Sequence, residues 1–293
     1  MNIAYCIICH RNTNILRTTI ALLSKENDIY LHVDKKACLT DFDEYQGRVF
    51  FIRNRVNVQW GAYSQIEAML ALFSEAIKGN YDYYCLLSGD DLPLKNSAAI
   101  KEFISRNDGA EYIGIVKDFE KLKPLFEQRL KYKHSRFSLK RTKSLPERAL
   151  FKLYKIMRLN RRPNRYYCQL PPLYKGANWL CITKQLLEYI FNYLNANPWY
   201  QKAFKHGCCG DEIFFQTIVM NSEFKDKIYH YETELDDNRM ALRYIDWVSG
   251  PQFPKILSEQ DLPRMKDTDC IFARKFKDDL DIDVYKREMN ITE

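Results

Sequence analysis

The chain has 293 residues, and 45 Lys and Arg against 38 Asp and Glu give it a formal net charge of +7. Hydrophobic residues make up 46% of the chain and charged residues 28%, a balance that excludes an intrinsically disordered protein. The length fits one large domain or two closely fused ones, and we expect a single domain over residues 1–293. No apolar run reaches the roughly 18 residues of a membrane span, so no membrane-spanning helix is expected.

The cysteines and the amino terminus bear on the cellular compartment. The nine cysteines follow no regular spacing. They are Cys6, Cys9, Cys38, Cys85, Cys168, Cys181, Cys208, Cys209 and Cys270. No basic, apolar leader precedes the first strand-like run, so we expect a cytoplasmic protein with unpaired thiols. The neighbouring Cys208 and Cys209 lack the spacing of zinc ligands.

Strand-like runs alternate with helical patterns through the first 120 residues. Strands are predicted over 3–9, 29–33, 49–52 and 83–88, and helices over 64–77 and 97–105. This alternation predicts an α/β fold with a mostly parallel central sheet and helices on both faces. Further along, a strand is predicted over 179–183, with helices over 185–194 and 213–221. We expect residues 1–120 to form a nucleotide-binding half and residues 166–293 an acceptor-binding and catalytic half.

The stretch Tyr83–Leu94 is the most informative piece of the chain. Its apolar run ends at Ser88-Gly89-Asp90-Asp91, and Pro93 prevents it from continuing as a central strand. Ligands of open α/β sheets bind beyond the carboxyl ends of the strands, so a functional site is expected here. Two adjacent carboxylates suit a divalent metal, a sugar hydroxyl or a ribose, and the residues alone leave these alternatives open.

Two further residues follow predicted strands or precede predicted helices. Asp34 follows the second strand, where an acid can accept hydrogen bonds from a nucleobase or ribose. Pairing of Asp34 with Lys35 or Lys36 in an ordinary loop is the interpretation that spacing alone favours. Trp60 precedes the helix that starts near Ser64, and it suits stacking on a base or sugar as well as it suits a core position.

Two clusters near the carboxyl end of the chain carry charge. Glu212 stands at a predicted helix start, which orients a carboxylate as a general base requires but is also common at ordinary helix ends. Arg274 and Lys275 stand between two phenylalanines, where they would neutralise a diphosphate or form an exposed basic pair.

Residues 129–165 form a basic segment with fourteen Lys and Arg and one acid, Glu147. Helical spacing over 147–159 gives part of this segment an apolar face. Nucleic-acid binding, docking to an anionic membrane and a plain solvated helix are the three alternatives. We expect peripheral contact with the inner face of the cell membrane and no binding of nucleic acid.

Several motifs occur together in an order that is similar to one enzyme family. The chain resembles the core-2/I-branching β-1,6-N-acetylglucosaminyltransferase and peptide O-xylosyltransferase family. The motifs that carry the resemblance are residues 31–36, 60–64, 87–94, 211–217 and 272–276, with weaker matches at 176–179 and 242–247. The basic segment has no clear counterpart.

The resemblance implies a GT-A-type fold, a UDP-sugar donor and inversion at the anomeric carbon, with no cofactor or metal required. The sugar expected from it is N-acetylglucosamine or xylose, and the acceptor is a hydroxyl of a glycan or lipid-linked saccharide. Glu212 matches the catalytic base, and Arg274 and Lys275 match the cations that hold the diphosphate. The other donor contacts implied are Ile8, Cys9, His10, Asp34 and Trp60. The residues assigned to the acceptor cleft are Asp90, Asp91, Glu111, Trp179 and Trp247.

The chain departs from the family pattern at one position of the diphosphate site. The branching enzymes carry an upstream arginine there, whereas this chain has Gln252, with Lys255 nearby as a substitute.

The main alternative to a metal-independent mechanism is a metal-dependent transferase in which Asp90 and Asp91 hold Mn²⁺.

Overall fold

The computed structural model describes residues 1–117, 119–135, 137–140, 142–157, 159–233 and 235–291. Arg136, Arg141 and Arg158 of the basic segment lie outside these ranges. The strands are β1 (Ile3–Cys9), β2 (Asp28–Val33), β3 (Phe50–Phe51), β4 (Tyr83–Ser88), β5 (Leu92–Pro93), β6 (Tyr112–Ile113), β7 (Leu180–Thr183), β8 (Arg243–Ile245) and β9 (Phe272–Arg274). The helices are α1 (Asn14–Leu23), α2 (Ser64–Ala76), α3 (Ser97–Arg106), α4 (Phe119–Lys131), α5 (Leu145–Ile156), α6 (Lys184–Ala196), α7 (Pro198–Phe204), α8 (Phe214–Met220), α9 (Asp237–Met240), α10 (Leu262–Lys266) and α11 (Ile282–Glu288).

The main sheet has the strand order β3-β2-β1-β4-β7-β6. Strands β3, β2, β1 and β4 are parallel to one another. Strand β7 runs antiparallel to β4, and β6 runs antiparallel to β7. The predicted α/β architecture with a mostly parallel sheet is therefore confirmed, and its antiparallel strands lie together at one side.

Both faces of this sheet are covered by helices, as the alternating side chains of β1 show. Ala4 and Cys6 point into a core formed with helices α2, α6 and α8. Tyr5 and Ile7 point into a second core, formed with α1 and α3. A strand that is buried on both faces reads as a continuous apolar run because neither face meets water.

A second, three-stranded sheet has the order β5-β9-β8. Pro93 lies in β5, an edge strand of this sheet, where the missing N–H group of proline costs no ladder hydrogen bond. Strand β9 pairs with β5, which follows β4 by four residues, so Arg274 and Lys275 are carried to the end of β4.

The carboxyl ends of the central strands meet at one edge. Ile8 of β1 lies beside His32 of β2 and Ser88 of β4 in the strand register. The Gly89 N–H donates to the Ile8 carbonyl at 2.9 Å, and the Asp34 N–H donates to the Cys9 carbonyl at 2.8 Å. The loops that follow these three strands are thus joined by backbone hydrogen bonds.

The expectation that every thiol is unpaired is wrong for Cys85 and Cys181, which form a disulfide. These residues lie opposite each other on the antiparallel strands β4 and β7, with Cα atoms 4.0 Å apart. The sequence gives no sign of the pairing because 96 positions separate the two residues.

Within the part of the chain described, no helix is long and apolar enough to cross a membrane.

Candidate active site

The two acids that follow β4 are each paired with a cation from the end of β9. The buried Asp91 carboxylate accepts hydrogen bonds from the Ser88 N–H at 3.0 Å and the Ser88 hydroxyl at 2.5 Å. The same carboxylate forms an ion pair with Arg274, whose Nε lies 3.2 Å from Oδ1. Asp90 pairs with Lys275, with 3.2 Å between Oδ2 and Nζ. The acids are therefore the counter-ions of two basic side chains at the sheet edge.

Arg274 is held more tightly than Lys275. Its guanidinium carbon lies 4.0 Å from the ring centroid of the buried Trp179, and Nη2 donates to the Ser88 hydroxyl at 3.4 Å. The Lys275 side chain keeps 41% of its surface exposed, against 17% for Arg274. Arg274 is thus a fixed cation, and Lys275 is free to exchange its partner for a ligand.

A second arginine, Arg243, lies beneath this pair. It is fully buried, donates to the carbonyls of Leu86 at 2.7 Å and Ala241 at 3.1 Å, and stacks on Phe272 with its guanidinium carbon 4.4 Å from the ring centroid. Burial lowers the pKa of Arg243 to about 10, against the opposing effect of the nearby Asp91 charge. Arg243 thus connects β8 to β4. In the sequence, the only indication of its importance is that it lies in the weaker motif 242–247.

Glu212 lies in a short 3-10 turn, Gly210–Glu212, that precedes α8. Its Oε2 lies 2.8 Å from Nη1 of Arg129 and 3.3 Å from Nζ of Lys175. About a third of the Glu212 side chain stays exposed, so a ligand can reach it. Arg129 comes from α4, at the start of the basic segment, and no local sequence pattern had pointed to it.

Asp211, the neighbour of Glu212, is buried instead. Its Oδ2 accepts hydrogen bonds from the side-chain amides of Gln65 at 3.0 Å and Asn178 at 3.2 Å. Its Oδ1 has no hydrogen-bond partner among the described residues. Burial, reinforced by the charge of Glu212, raises the pKa of Asp211 to about 7.

One four-residue segment, Gly176–Trp179, connects the Glu212 turn with Arg274. The Gly176 N–H donates to the Glu212 carbonyl at 2.9 Å, and Trp179 at the other end lies against the Arg274 guanidinium. Glycine is required at 176 because a Cβ atom there would lie 1.7 Å from the Gly114 carbonyl oxygen. The carboxylate and the fixed cation thus belong to one site.

Trp60 lies beside the loop that carries Glu212. Its indole is 54% exposed, which suits contact with a ligand better than a core role. Gly61 has a left-handed φ of +71°, and its carbonyl accepts a hydrogen bond from the Cys209 N–H at 2.8 Å. The motif 60–64 and the Glu212 turn are therefore packed together.

The other predicted donor contacts lie at the carboxyl ends of β1 and β2. The Cys9 side chain is buried in the core, so this residue offers only backbone groups to a ligand. His10 is exposed, and desolvation lowers the pKa of its imidazole. Asp34 is buried and pairs with Lys36, through the Lys36 N–H at 2.9 Å and Nζ at 3.3 Å. This is the loop pairing that spacing favoured for Asp34.

Glu111 does not reach the cleft, contrary to its assignment to the acceptor side. It is fully buried, and its two oxygens accept from the Thr183 N–H at 2.9 Å and the Thr183 hydroxyl at 2.5 Å. Thr183 pairs with Tyr83 at the amino end of β4, the opposite edge of the sheet from Ser88. Burial raises the pKa of Glu111 to about 7. A structural role fits this position.

Trp247 and Lys255 lie near the end of β8. Ile245 pairs with Arg274 in the register of the second sheet, and the half-exposed Trp247 follows two residues later. Lys255, the candidate substitute for the missing arginine, instead forms an ion pair with the buried Asp261 at 2.5 Å. Trp247 is therefore at the rim of the site, and Lys255 is engaged elsewhere.

The residues present fit a metal poorly. No group of three or more His, Cys, Asp or Glu side chains in the described ranges is arranged to hold one. Both oxygens of Asp91 are already bound by Ser88 and Arg274, and Asp90 is paired with Lys275. Mn²⁺ would have to displace these cations to reach the acids.

Comparisons with known proteins identify relatives over most of the chain. The family model described as Core-2/I-Branching enzyme matches residues 3–266. The xylosyltransferase oxt of Drosophila melanogaster is 21% identical over 282 residues, which cover 88% of this chain and 29% of that protein. The corresponding protein of Drosophila pseudoobscura pseudoobscura is 22% identical over 284 residues, with the same coverage of 88% and 29%. The chain therefore spans less than a third of the length of these two relatives.

A solved structure with partial similarity is that of mouse xyloside xylosyltransferase 1 in its apo form. Its sequence identity is 12%, and the match covers 76% of this chain and 83% of the mouse chain with a TM-score of 0.35.

Proposed function

Since the chain belongs to the Core-2/I-Branching enzyme family of glycosyltransferases, we propose that it transfers N-acetylglucosamine or xylose from a UDP-sugar to a hydroxyl of a glycan acceptor, with inversion and without a metal. The observation that carries this proposal is the segment Gly176–Trp179, which joins an accessible carboxylate to a fixed arginine. An acceptor-activating base and a cation for the leaving group are what an in-line displacement requires.

Glu212 is the general base in this mechanism. Its carboxylate removes the proton from the acceptor hydroxyl as the oxygen attacks the anomeric carbon of the donor. Arg129 and Lys175 lie 2.8 and 3.3 Å from its Oε2, so they hold the carboxylate in one orientation. Positioning of this kind lowers the entropic cost of bringing base and acceptor together.

Arg274 and Lys275 receive the negative charge that develops on the UDP diphosphate. Arg274 is already fixed by Asp91 and Trp179, so it needs little reorganisation when the sugar–phosphate bond breaks. Lys275 is more exposed, and it exchanges Asp90 for a phosphate oxygen when the donor binds. Two cations at this place supply the charge that a divalent ion supplies in metal-dependent transferases.

The donor nucleotide lies along the loops after β1 and β2 in this proposal. Trp60 and the backbone of Ile8, Cys9 and His10 are its contacts, and Asp34 shapes the loop through Lys36. The acceptor lies between Glu212 and the rim that contains Trp247.

The test is UDP release from UDP-N-acetylglucosamine, UDP-xylose, UDP-galactose and UDP-glucose, each with excess EDTA and with Mn²⁺. We expect release from the first or second sugar nucleotide at a rate that EDTA leaves unchanged. Loss of activity in EDTA with recovery in Mn²⁺ would contradict metal independence, and release from none of the four donors would contradict the UDP-sugar assignment.

We also propose that α5 rests on the cytoplasmic face of an anionic membrane. None of its residues is buried, and its large aliphatic side chains are at least half exposed. These are Leu145 at 79%, Leu150 at 56%, Leu153 at 50% and Ile156 at 69%, followed by Met157 at 60%. The cations Arg148, Lys152 and Lys155 flank that apolar face, which is the pattern of a helix lying in a membrane interface.

Vesicle co-sedimentation tests the contact, with Leu153→Ser/Ile156→Ser compared with wild type on vesicles containing anionic lipid. Removing two apolar side chains should lower the bound fraction at least severalfold, while the melting temperature stays the same because neither side chain is buried. Equal sedimentation of both proteins would show that α5 is simply solvated.

A further inference from the structure

A cavity of about 640 Å³ lies between the basic segment and the body of the domain. We call it the basic cavity and define it by Lys133, His134, Arg162, Lys205, His206 and the start of α2. It is separate from Arg274 and Lys275, which do not line it. None of the roles assigned to the transferase site uses these basic residues.

The cations of the basic cavity lack acidic partners among the described residues. Lys133, Arg162 and Lys205 form no ion pair within the described ranges of the chain, whereas Arg129, Lys175, Arg274 and Lys275 each have one. Glu67 is the one acid among the described lining residues. Like charges gathered around a concave surface repel one another, and an anion placed between them relieves that repulsion.

Backbone hydrogen bonds hold the segments that line the cavity together. The positions of its basic residues are therefore set by the fold and not only by side-chain conformation. The Lys133 N–H donates to the Arg162 carbonyl at 2.8 Å, and the His134 N–H donates to the His206 carbonyl at 2.7 Å. The ring nitrogen Nε2 of His134 is buried and has no hydrogen-bond partner among the described residues. Helix α2 begins at the cavity without a side-chain cap, and its dipole adds positive potential there.

The basic cavity lies next to the catalytic carboxylate. Arg129, the ion-pair partner of Glu212, accepts a backbone hydrogen bond from Cys208 at 3.0 Å, two residues beyond the cavity-lining His206. Lys133 lies four residues from Arg129, a separation that spans at most roughly 14 Å between Cα atoms. A molecule whose hydroxyl reaches Glu212 can therefore place a second group in the cavity.

We propose that the basic cavity is an acceptor subsite that binds an oxyanion, a phosphate or a carboxylate, on the saccharide being glycosylated. The inference rests on the proposed function because it names the acceptor class of the same enzyme. A phosphorylated or acidic saccharide is held by Lys133, Arg162 and Lys205 while its hydroxyl faces Glu212. Neutral glycans lack the group that these cations bind, so they are poorer acceptors.

The first experiment measures binding of inorganic phosphate to the full chain in saturating UDP, which occupies Arg274 and Lys275. Lys133→Gln/Arg162→Gln removes two cavity cations, and Lys131→Gln/Arg161→Gln removes two adjacent cations that do not line the cavity. We expect phosphate affinity to fall at least tenfold in the first variant and to stay within twofold of wild type in the second. Equal affinities in the two variants would overturn the proposal.

The second experiment asks whether the oxyanion is a phosphate or a carboxylate, which is shown by which of two anionic acceptors the enzyme uses. Transfer is measured to a phosphorylated saccharide, a uronic acid glycoside and a neutral glycoside, with UDP affinity measured alongside. The cavity variant should raise the acceptor KM for whichever anionic acceptor is used at least tenfold and leave the neutral acceptor and UDP affinity unchanged. An equal rise for all three acceptors would overturn the subsite.

Failure of the proposed function would give results different from failure of the anion subsite. If wild type neither binds UDP nor releases it from a UDP-sugar, the transferase assignment fails, while phosphate binding lost only in the cavity variant would still establish an anion site.

Discussion

Asp211 and Glu212 are adjacent acids with opposite surroundings. Glu212 is partly exposed and lies against two cations, whereas Asp211 is buried and bound by the neutral amides of Gln65 and Asn178. The Glu212 environment presents a carboxylate to a ligand, whereas the Asp211 carboxyl group holds the turn through its hydrogen bonds. A helix-start motif in the sequence does not distinguish these two roles.

The raised pKa of Asp211 makes stability depend on pH. The folded protein keeps the Asp211 proton up to pH about 7, whereas the unfolded chain releases it near 3.8. The free energy of unfolding should therefore fall as pH rises from 4 to 7, by at most about 4 kcal/mol at ~1.4 kcal/mol per unit. In Asp211→Asn this contribution is absent.

Denaturant unfolding of wild type and Asp211→Asn at pH 4, 5.5, 7 and 8 checks this expectation. The difference in unfolding free energy between the two proteins should change between pH 4 and 7 and be constant above that. The same pH dependence in both proteins would mean that Asp211 is ionised throughout.

Arg274→Lys keeps a positive charge beside Asp91 but loses the planar group that stacks on Trp179. A cation–π contact of this kind contributes about 1–2 kcal/mol, so we expect kcat/KM for the UDP-sugar to fall about tenfold with little change in melting temperature. Steady-state kinetics with Arg264→Lys, a substitution at an exposed arginine outside the site, provides the comparison. Similar kcat/KM values for both variants would exclude a donor role for the Arg274 guanidinium.

The sequence predicts which motif residues meet at the sheet edge better than it predicts their partners. Asp90 and Asp91 follow a predicted strand, and Glu212 stands at a predicted helix start. The signal for Arg274 is its place in a basic pair between two phenylalanines. Arg129 pairs with Glu212 from 83 positions away, and only the fold brings the two together. The assignment of Glu111 to the acceptor cleft disagrees with the structure for a related reason, because a motif match does not say at which edge of a sheet an acid lies.

At the scale of elements, Gly176–Trp179 is the part on which the site depends most. A Cβ atom in Gly176→Ala would lie 1.7 Å from the Gly114 carbonyl oxygen, so backbone must move. We expect a loss of about 1–3 kcal/mol in unfolding free energy and a loss of activity beyond that, because the same segment contacts Glu212 and carries Trp179.

Gly47→Ala is the matched control for this substitution. Gly47 has a φ of +75° and open space around its Cα, so alanine there costs stability through backbone strain alone. Transfer rates are compared at a temperature where both variants are folded. Equal activities in the two variants would show that the Gly176–Trp179 segment does not hold the site together.

Most strands and helices could be predicted because their apolar periodicities are strong. Helix α2 occupies Ser64–Ala76, close to the predicted 64–77. The direction of β7 could not be predicted, because an apolar run of four residues looks the same in a parallel or an antiparallel pair. The Cys85–Cys181 disulfide follows from that direction, so it escaped prediction as well.

At the scale of the whole molecule, the basic segment contributes two surfaces, one on its outer side and one on its inner side. Its outer face is the exposed apolar side of α5, and its inner side lines the basic cavity close to Glu212. A saccharide that carries a phosphate and is anchored in a membrane would meet both. The two proposals are independent, since each has a variant that leaves the other surface intact.

The central claim is that Glu212 is the base of a transfer reaction, and Glu212→Gln tests it most directly. The measurement is kcat for sugar transfer together with the dissociation constant for the UDP-sugar. General-base catalysis contributes about 10²–10⁴-fold, so kcat should fall by that factor while donor affinity stays unchanged. A Glu212→Gln enzyme with kcat within a few-fold of wild type would contradict the account.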